Sequence, residues 1–89
     1  MTPTFLELKR RTQENVIAFL RIEVELASTF CKLAETTQDP EHRERLLENI
    51  QKAVTAIHHL AGRITDAAIR AELSTEADRL GAFAARNSK

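Results

Sequence analysis

Apolar residues recur along this chain at the three- and four-residue spacing of α-helices, in three segments separated by short polar breaks. At the first break, Pro40 disfavours helical backbone at Asp39 but suits the first position of a new helix. Asp39 is suited to cap that helix, and Glu41 adds favourable charge to its first turn. No segment alternates apolar and polar residues with a period of two. The pattern predicts an all-α fold, in which an antiparallel helical hairpin and a third helix form a three-helix bundle.

Capping signals set the predicted limits of the three helices. Thr4 and Glu7 fit a capping box at the first helix, and Gly62 is predicted to end the second in a left-handed conformation. The third is favoured as one continuous helix, and its alternative is a break at Ser74. Gly81 either permits close approach of a neighbouring helix or marks a fraying end. Within a single domain of residues 1–89, helix 1 is predicted at about 4–36, helix 2 at about 40–61 and helix 3 at about 66–86.

Each predicted helix carries one main apolar stripe that we expect to lie in the core. In helix 1 the stripe contains Phe5, Val16, Leu20, Val24, Ala27, Phe30, Cys31 and Ala34. The stripe that continues from helix 2 contains Leu46, Leu47, Ile50, Ala53, Val54, Ile57, Leu60, Ala61 and Ile64. The narrower stripe of helix 3 contains Ile69, Leu73, Ala77, Leu80 and Ala84.

Helix 1 has more apolar surface than a hairpin requires. A second stripe, made of Leu8, Phe19, Ile22, Leu26 and Leu33, lies beside the main one. Either helix 2 covers one stripe and helix 3 the other, or a second subunit covers part of this surface. The second reading predicts an interaction surface at Phe19, Ile22, Leu26 and Leu33. It also predicts a homo-oligomer, with a dimer favoured, or a different protein partner.

Composition narrows the possible partners. The 89 residues include 13 basic and 13 acidic side chains, so the formal net charge of zero gives no electrostatic signature of nucleic acid or membrane binding. The one basic cluster, Lys9-Arg10-Arg11, is flanked by Glu7 and Glu14. No apolar run approaches the roughly 18 residues of a membrane span. The single cysteine and the absence of a signal-peptide pattern favour a cytoplasmic location.

Two polar residues are candidates for a role in chemistry. Glu23 lies within the main stripe of helix 1, where we expect it at the edge of the core, paired with Arg or Lys from another helix. His58 flanks the stripe of helix 2, but His59 points away, so the pair is poorly placed to bind one metal ion. Cys31 is expected to be a small core residue. We therefore expect no catalytic residue, no cofactor and no metal. The alternative is a metal-binding bundle assembled across a dimer with Glu23 and a histidine.

Two short segments resemble known families. His58-His59-Leu60-Ala61-Gly62 resembles the His-x-Leu-Lys-Gly signature of histidine phosphotransfer domains, which would make His58 a phosphoacceptor, with Ala61 in place of the lysine. Leu26-Ala27 with Phe30, followed by the segment at residues 50–54, looks like the two helices of a tetratricopeptide repeat. The hairpin is also similar to short uncharacterised bacterial helical proteins. The leading functional hypothesis is a non-enzymatic protein–protein interaction or self-association module, and a phosphotransfer-like signalling bundle is an alternative.

Overall fold

Three α-helices make up the fold. The computed structural model describes residues 4–88, in which α1 spans Phe5–Thr36, α2 spans Pro40–Ala61 and α3 spans Ala67–Asn87. The described residues form no strand, and every pair of helices is in contact. The prediction of an all-α, three-helix architecture is therefore confirmed. Residues 1–3 and 89 of the predicted domain lie outside the described part of the chain.

Side-chain caps fix where the helices begin. Thr4, Asp39 and Asp66 precede the three helices, and each accepts hydrogen bonds from backbone N–H groups two or three residues later, at 3.0–3.4 Å. Pro40 occupies the first turn of α2, where its missing N–H removes no helical hydrogen bond. Short polar side chains at these positions satisfy N–H groups that the helix itself leaves unpaired.

Gly62 does not adopt the predicted left-handed conformation. Its backbone is right-handed, with φ −62° and ψ −18°. The N–H of Arg63 donates to the carbonyl of Leu60, and the N–H of Ile64 donates to that of Ala61. These three-residue turns tighten the end of the helix and place Ile64 in the core, where it is almost completely buried. The prediction for Gly62 was wrong because this sharper ending needs no positive φ.

Helix α3 continues through Ser74 without a break. Leu73 and Ala77, on either side of Ser74, are both buried, so the apolar stripe keeps its phase. Phe83 is also buried, although it was not part of the predicted stripe. Gly81 lies inside α3 rather than at a fraying end, and a Cβ atom built on it would be 3.6 Å from Cγ1 of Val54.

The core follows the main stripes of the three helices. Its fully buried large side chains are Leu20, Ile50, Ile57, Ile64, Leu73 and Leu80. Alanines 27, 34, 53, 61, 77 and 84 lie between them and bring the helices close together. The core lies in the part of the bundle where all three helices overlap.

The first two turns of α1, residues 5–12, extend past the rest of the bundle. Helix α1 has 32 residues, whereas α2 has 22 and α3 has 21. Gln13 marks the limit of the overlap, because its side chain donates to the carbonyl of Arg63 at 2.8 Å and accepts from the N–H of Thr65 at 2.9 Å. All residues at 5–12 are exposed. We call this segment the α1 overhang. It explains why Phe5, predicted in the core stripe, is 78% exposed.

The overhang makes the molecule elongated. Its Cα atoms have a radius of gyration of 15.6 Å and extend over 55 × 24 × 15 Å. A compact chain of this length would have a radius of gyration of about 12 Å. Over the described residues, none of the helices combines the length and the apolar character needed to cross a membrane.

Candidate functional site

The second apolar stripe of α1 is exposed. We call Leu8, Phe19, Ile22, Leu26 and Leu33 the exposed α1 face; their exposed fractions run from 43% to 61%. Phe5 and Leu6 in the overhang are exposed further. Within residues 4–88, every large hydrophobic side chain that is exposed belongs to α1. The unburied apolar surface is thus concentrated on one helix.

The direction of α3 explains why this face is uncovered. Arg21 binds Glu72 through two hydrogen bonds of 3.2 and 3.4 Å, and Arg79 donates to the hydroxyl of Ser28 at 3.1 Å. Arg21 and Ser28 are two helical turns apart and therefore lie on the same side of α1. This is the side of α1 that faces α3. Phe19 and Ile22 are not on that side. Of the two alternatives for the second stripe, the one in which α2 covers one stripe of α1 and α3 covers the other is therefore not the arrangement found.

Charged residues of both signs border the exposed α1 face. Lys9 and Arg11 are in the overhang, whereas Glu23 and Glu25 lie between two and three helical turns beyond Asn15. In helical projection, Lys9 and Glu23 share one border of the face, and Arg11 and Glu25 share the other. The face is thus basic at its N-terminal end and acidic in its middle.

Glu23 does not form the expected pair with a basic residue. Its residue surface is half-buried, and no salt bridge in the described part of the chain includes it. It lies between the exposed α1 face and the partly buried Val24 on the core side. A half-buried carboxylate of this kind is stabilised by a cation or hydrogen-bond donors.

His58 lies at the boundary between α2 and α3. Its Nε2 atom is 3.2 Å from Oδ1 of Asp78, and 44% of its side chain is exposed. Sequence reasoning missed Asp78, which is twenty residues away and follows no motif with His58. A phosphoryl group on Nε2 would lie beside this carboxylate, so like charges would repel each other. The environment of His58 therefore differs from the cationic one that suits a phosphohistidine.

Cys31 and possible metal ligands are the remaining polar groups of interest in the described part of the chain. No three His, Cys, Asp or Glu residues among those described are placed to hold one metal ion. Burial raises the pKa of the Cys31 thiol above its ordinary value; nearby Arg79 lowers it and Glu35 raises it, both to a smaller extent. A protonated, buried thiol is a weak nucleophile.

A groove lies between the start of α2 and the end of α3. It holds about 420 Å³ and is lined by side chains that include Arg43, Glu44, Leu47 and Glu48. The charges in its wall are mixed, and Arg43 is already engaged, donating to the carbonyl of Thr37 at 3.0 Å. The exposed α1 face, by contrast, consists of apolar side chains.

Comparison of this chain with known protein families, with curated proteins and with solved structures gives no match. The resemblances to phosphotransfer domains, to the tetratricopeptide repeat and to short bacterial helical proteins remain expectations from the sequence. The functional argument therefore depends on the geometry of the exposed α1 face.

Proposed function

We propose that this protein is a non-enzymatic helical module that associates with a second copy of itself through the exposed α1 face. One observation carries the proposal: all the exposed large hydrophobic side chains of the described residues lie on α1. Scattered exposed apolar residues are ordinary, but a contiguous apolar patch bordered by charges is typical of an interaction site.

Two properties favour a second copy as the partner. The net charge of zero means that two copies do not repel each other over a distance. A chain of 89 residues also buries a limited fraction of its surface, so burial of a further apolar face contributes relatively much to its stability.

The size of the face indicates how strong the association is. Helix α1 is about 48 Å long and a helix is about 10 Å wide, so the face is small beside the roughly 800 Å² per partner that stable interfaces bury. We therefore expect a reversible dimer whose population changes with protein concentration.

Sedimentation equilibrium over a wide concentration range tests this proposal. The wild type should pass from monomer to dimer, and Leu26→Glu and Phe19→Glu should remain folded monomers, because both side chains are already half exposed in the single chain. Thr55→Glu is the matched control, because it adds the same charge to an exposed site of α2. A wild type that remains a folded monomer at roughly millimolar concentration would contradict the proposal.

Two further outcomes would contradict self-association through the exposed α1 face. If Leu26→Glu unfolds the monomer, as followed by circular dichroism, then Leu26 contributes to the core and not to an intermolecular face. If Thr55→Glu disrupts the dimer as strongly as Leu26→Glu, then the interface is not confined to α1.

A further inference from the structure

The apolar positions of the exposed α1 face recur every seven residues. The spacing of seven and of three or four residues is that of the contact positions in a two-stranded coiled coil. One row along α1 contains Phe5, Thr12, Phe19, Leu26 and Leu33, and the adjacent row contains Leu8, Asn15, Ile22, Thr29 and Thr36. All members of both rows are exposed. The two rows therefore form a helix–helix seam, in which Thr12, Asn15 and Thr29 are polar members between the apolar ones.

We propose that two copies pair antiparallel along this seam, with Leu8 of the overhang opposite the partner's Leu26. This inference rests on the proposed function and adds the orientation and register of the dimer. A symmetric dimer repeats every contact twice, so each overhang lies on the acidic middle of the other α1.

The charges bordering the face select this register. When Leu8 faces the partner's Leu26, the residues that follow Leu8 face those that precede the partner's Leu26. In an antiparallel pair each border of the face also meets the same border of the partner, so Lys9 lies near the partner's Glu23 and Arg11 near the partner's Glu25. By symmetry the dimer has four such pairs of opposite charge. Glu23, which has no salt bridge in the described part of its own chain, gains a cation from the other copy.

The two main alternatives lack this complementarity. A parallel pair brings the two Lys9-Arg10-Arg11 clusters to the same end, where their charges repel. An antiparallel pair shifted by seven residues places Leu8 opposite the partner's Leu33 and Arg11 near the partner's Lys32, which is again a pair of like charges. Interactions between charges at the edge of a helical seam set its orientation and choice of partner.

Disulfide cross-linking distinguishes the three arrangements. Single cysteines at Leu8, Leu26 and Leu33 are introduced into a Cys31→Ala chain, whose dimerisation is first compared with that of the wild type. Differently tagged Leu8→Cys and Leu26→Cys proteins are mixed and oxidised, and we expect a mixed disulfide dimer. The matched control mixes Leu8→Cys with Leu33→Cys. A shift of seven residues moves the sulfur atoms about 10 Å apart, so only one of the two mixtures cross-links efficiently.

Each result of the cross-linking decides the register. A mixed disulfide between the Leu8→Cys and Leu26→Cys chains supports it. Cross-links between two Leu8→Cys chains indicate a parallel pair, and cross-links from Leu8→Cys to Leu33→Cys indicate the shifted one; either overturns the inference. A dimer that forms none of these cross-links also overturns it. In all of these cases sedimentation still shows a dimer, so the proposed function stands, whereas a monomeric wild type removes both proposals.

Charge reversal tests the same inference without added cysteines. Lys9→Glu with Arg11→Glu should raise the dimer Kd about tenfold or more, and Glu23→Lys with Glu25→Lys should do the same. The chain carrying all four substitutions should return to within about threefold of the wild-type Kd. If the variant with all four substitutions dimerises no more tightly than either double variant, the opposite charges do not face each other across the seam and the register is wrong.

Discussion

Replacing Gly81 by alanine should stabilise this protein. Gly81 lies within α3, and its backbone does not have the positive φ that would require glycine. A Cβ atom at this position would be 3.6 Å from Cγ1 of Val54 on α2, which is an ordinary van der Waals separation. The position thus accepts a methyl group without displacement of either helix.

The magnitude follows from helix propensity. Alanine is favoured over glycine inside a helix by about 0.8–1.0 kcal/mol, because glycine loses more backbone freedom on folding. One new carbon–carbon contact with Val54 adds roughly 0.1–0.2 kcal/mol. We therefore expect Gly81→Ala to raise the free energy of unfolding by about 1 kcal/mol, which corresponds to a Tm increase of about 4–8 °C in a domain of this size.

Urea unfolding followed by circular dichroism at matched protein concentrations measures this change. The control is Ala82→Gly at the neighbouring exposed position of α3, which should lower the free energy of unfolding by a similar amount. If the free energy of unfolding rises more in Gly81→Ala than it falls in Ala82→Gly, the difference measures the contact of the new methyl group with Val54. A Gly81→Ala protein that is less stable than the wild type would show that α2 and α3 approach more closely here than the 3.6 Å separation indicates.

Three further predictions concern the core, the cysteine and His58. Ile57→Ala should lower the free energy of unfolding by about 2–5 kcal/mol because Ile57 is fully buried, and a loss below about 1 kcal/mol in urea would contradict its place in the core. Burial raises the pKa of Cys31, so the folded state holds this proton more tightly than the unfolded state and loses stability as the pH rises above about 8.5. The Cys31→Ala protein should therefore lose less stability than the wild type between about pH 8 and pH 10, and equal losses in urea titrations would exclude this contribution. His58 should stay unlabelled on incubation with acetyl phosphate because of the Asp78 carboxylate beside it, and an acid-labile label that disappears in His58→Gln would contradict this.

The parts of the fold that could be predicted from sequence depend on local signals. The start of α2 at Pro40 and its cap at Asp39 follow from steric and hydrogen-bonding preferences of adjacent residues. The end of α2 does not follow from such local preferences. There the turn after Gly62 buries Ile64 and is hydrogen-bonded by Gln13, whose side chain reaches it from α1, about fifty residues earlier. Local propensity at Gly62 has no information about that distant side chain.

The exposed α1 face illustrates the same limit at the level of the candidate site. An apolar stripe is visible in the sequence, but whether a neighbouring helix covers it depends on the direction in which α3 returns. That direction is marked by Arg21 with Glu72 and by Ser28 with Arg79, each pair separated by 51 residues. The periodicity of α3 shows which of its faces is apolar and not which side of α1 it meets. The pairing of His58 with Asp78 was missed for the same reason.

Glu23 connects the fold to the proposed dimer. In a single chain it is a half-buried carboxylate beside an uncovered apolar face. A carboxylate in this position requires a cation or hydrogen-bond donors. The overhang is also unfavourable in a single chain, because it exposes the apolar side chains of Phe5 and Leu8 and places three basic residues next to each other. Each feature supplies what the other lacks: the overhang has cations and apolar side chains, and the middle of α1 has carboxylates and an apolar seam. Because both are on the same helix, two copies satisfy them only when the helices run in opposite directions.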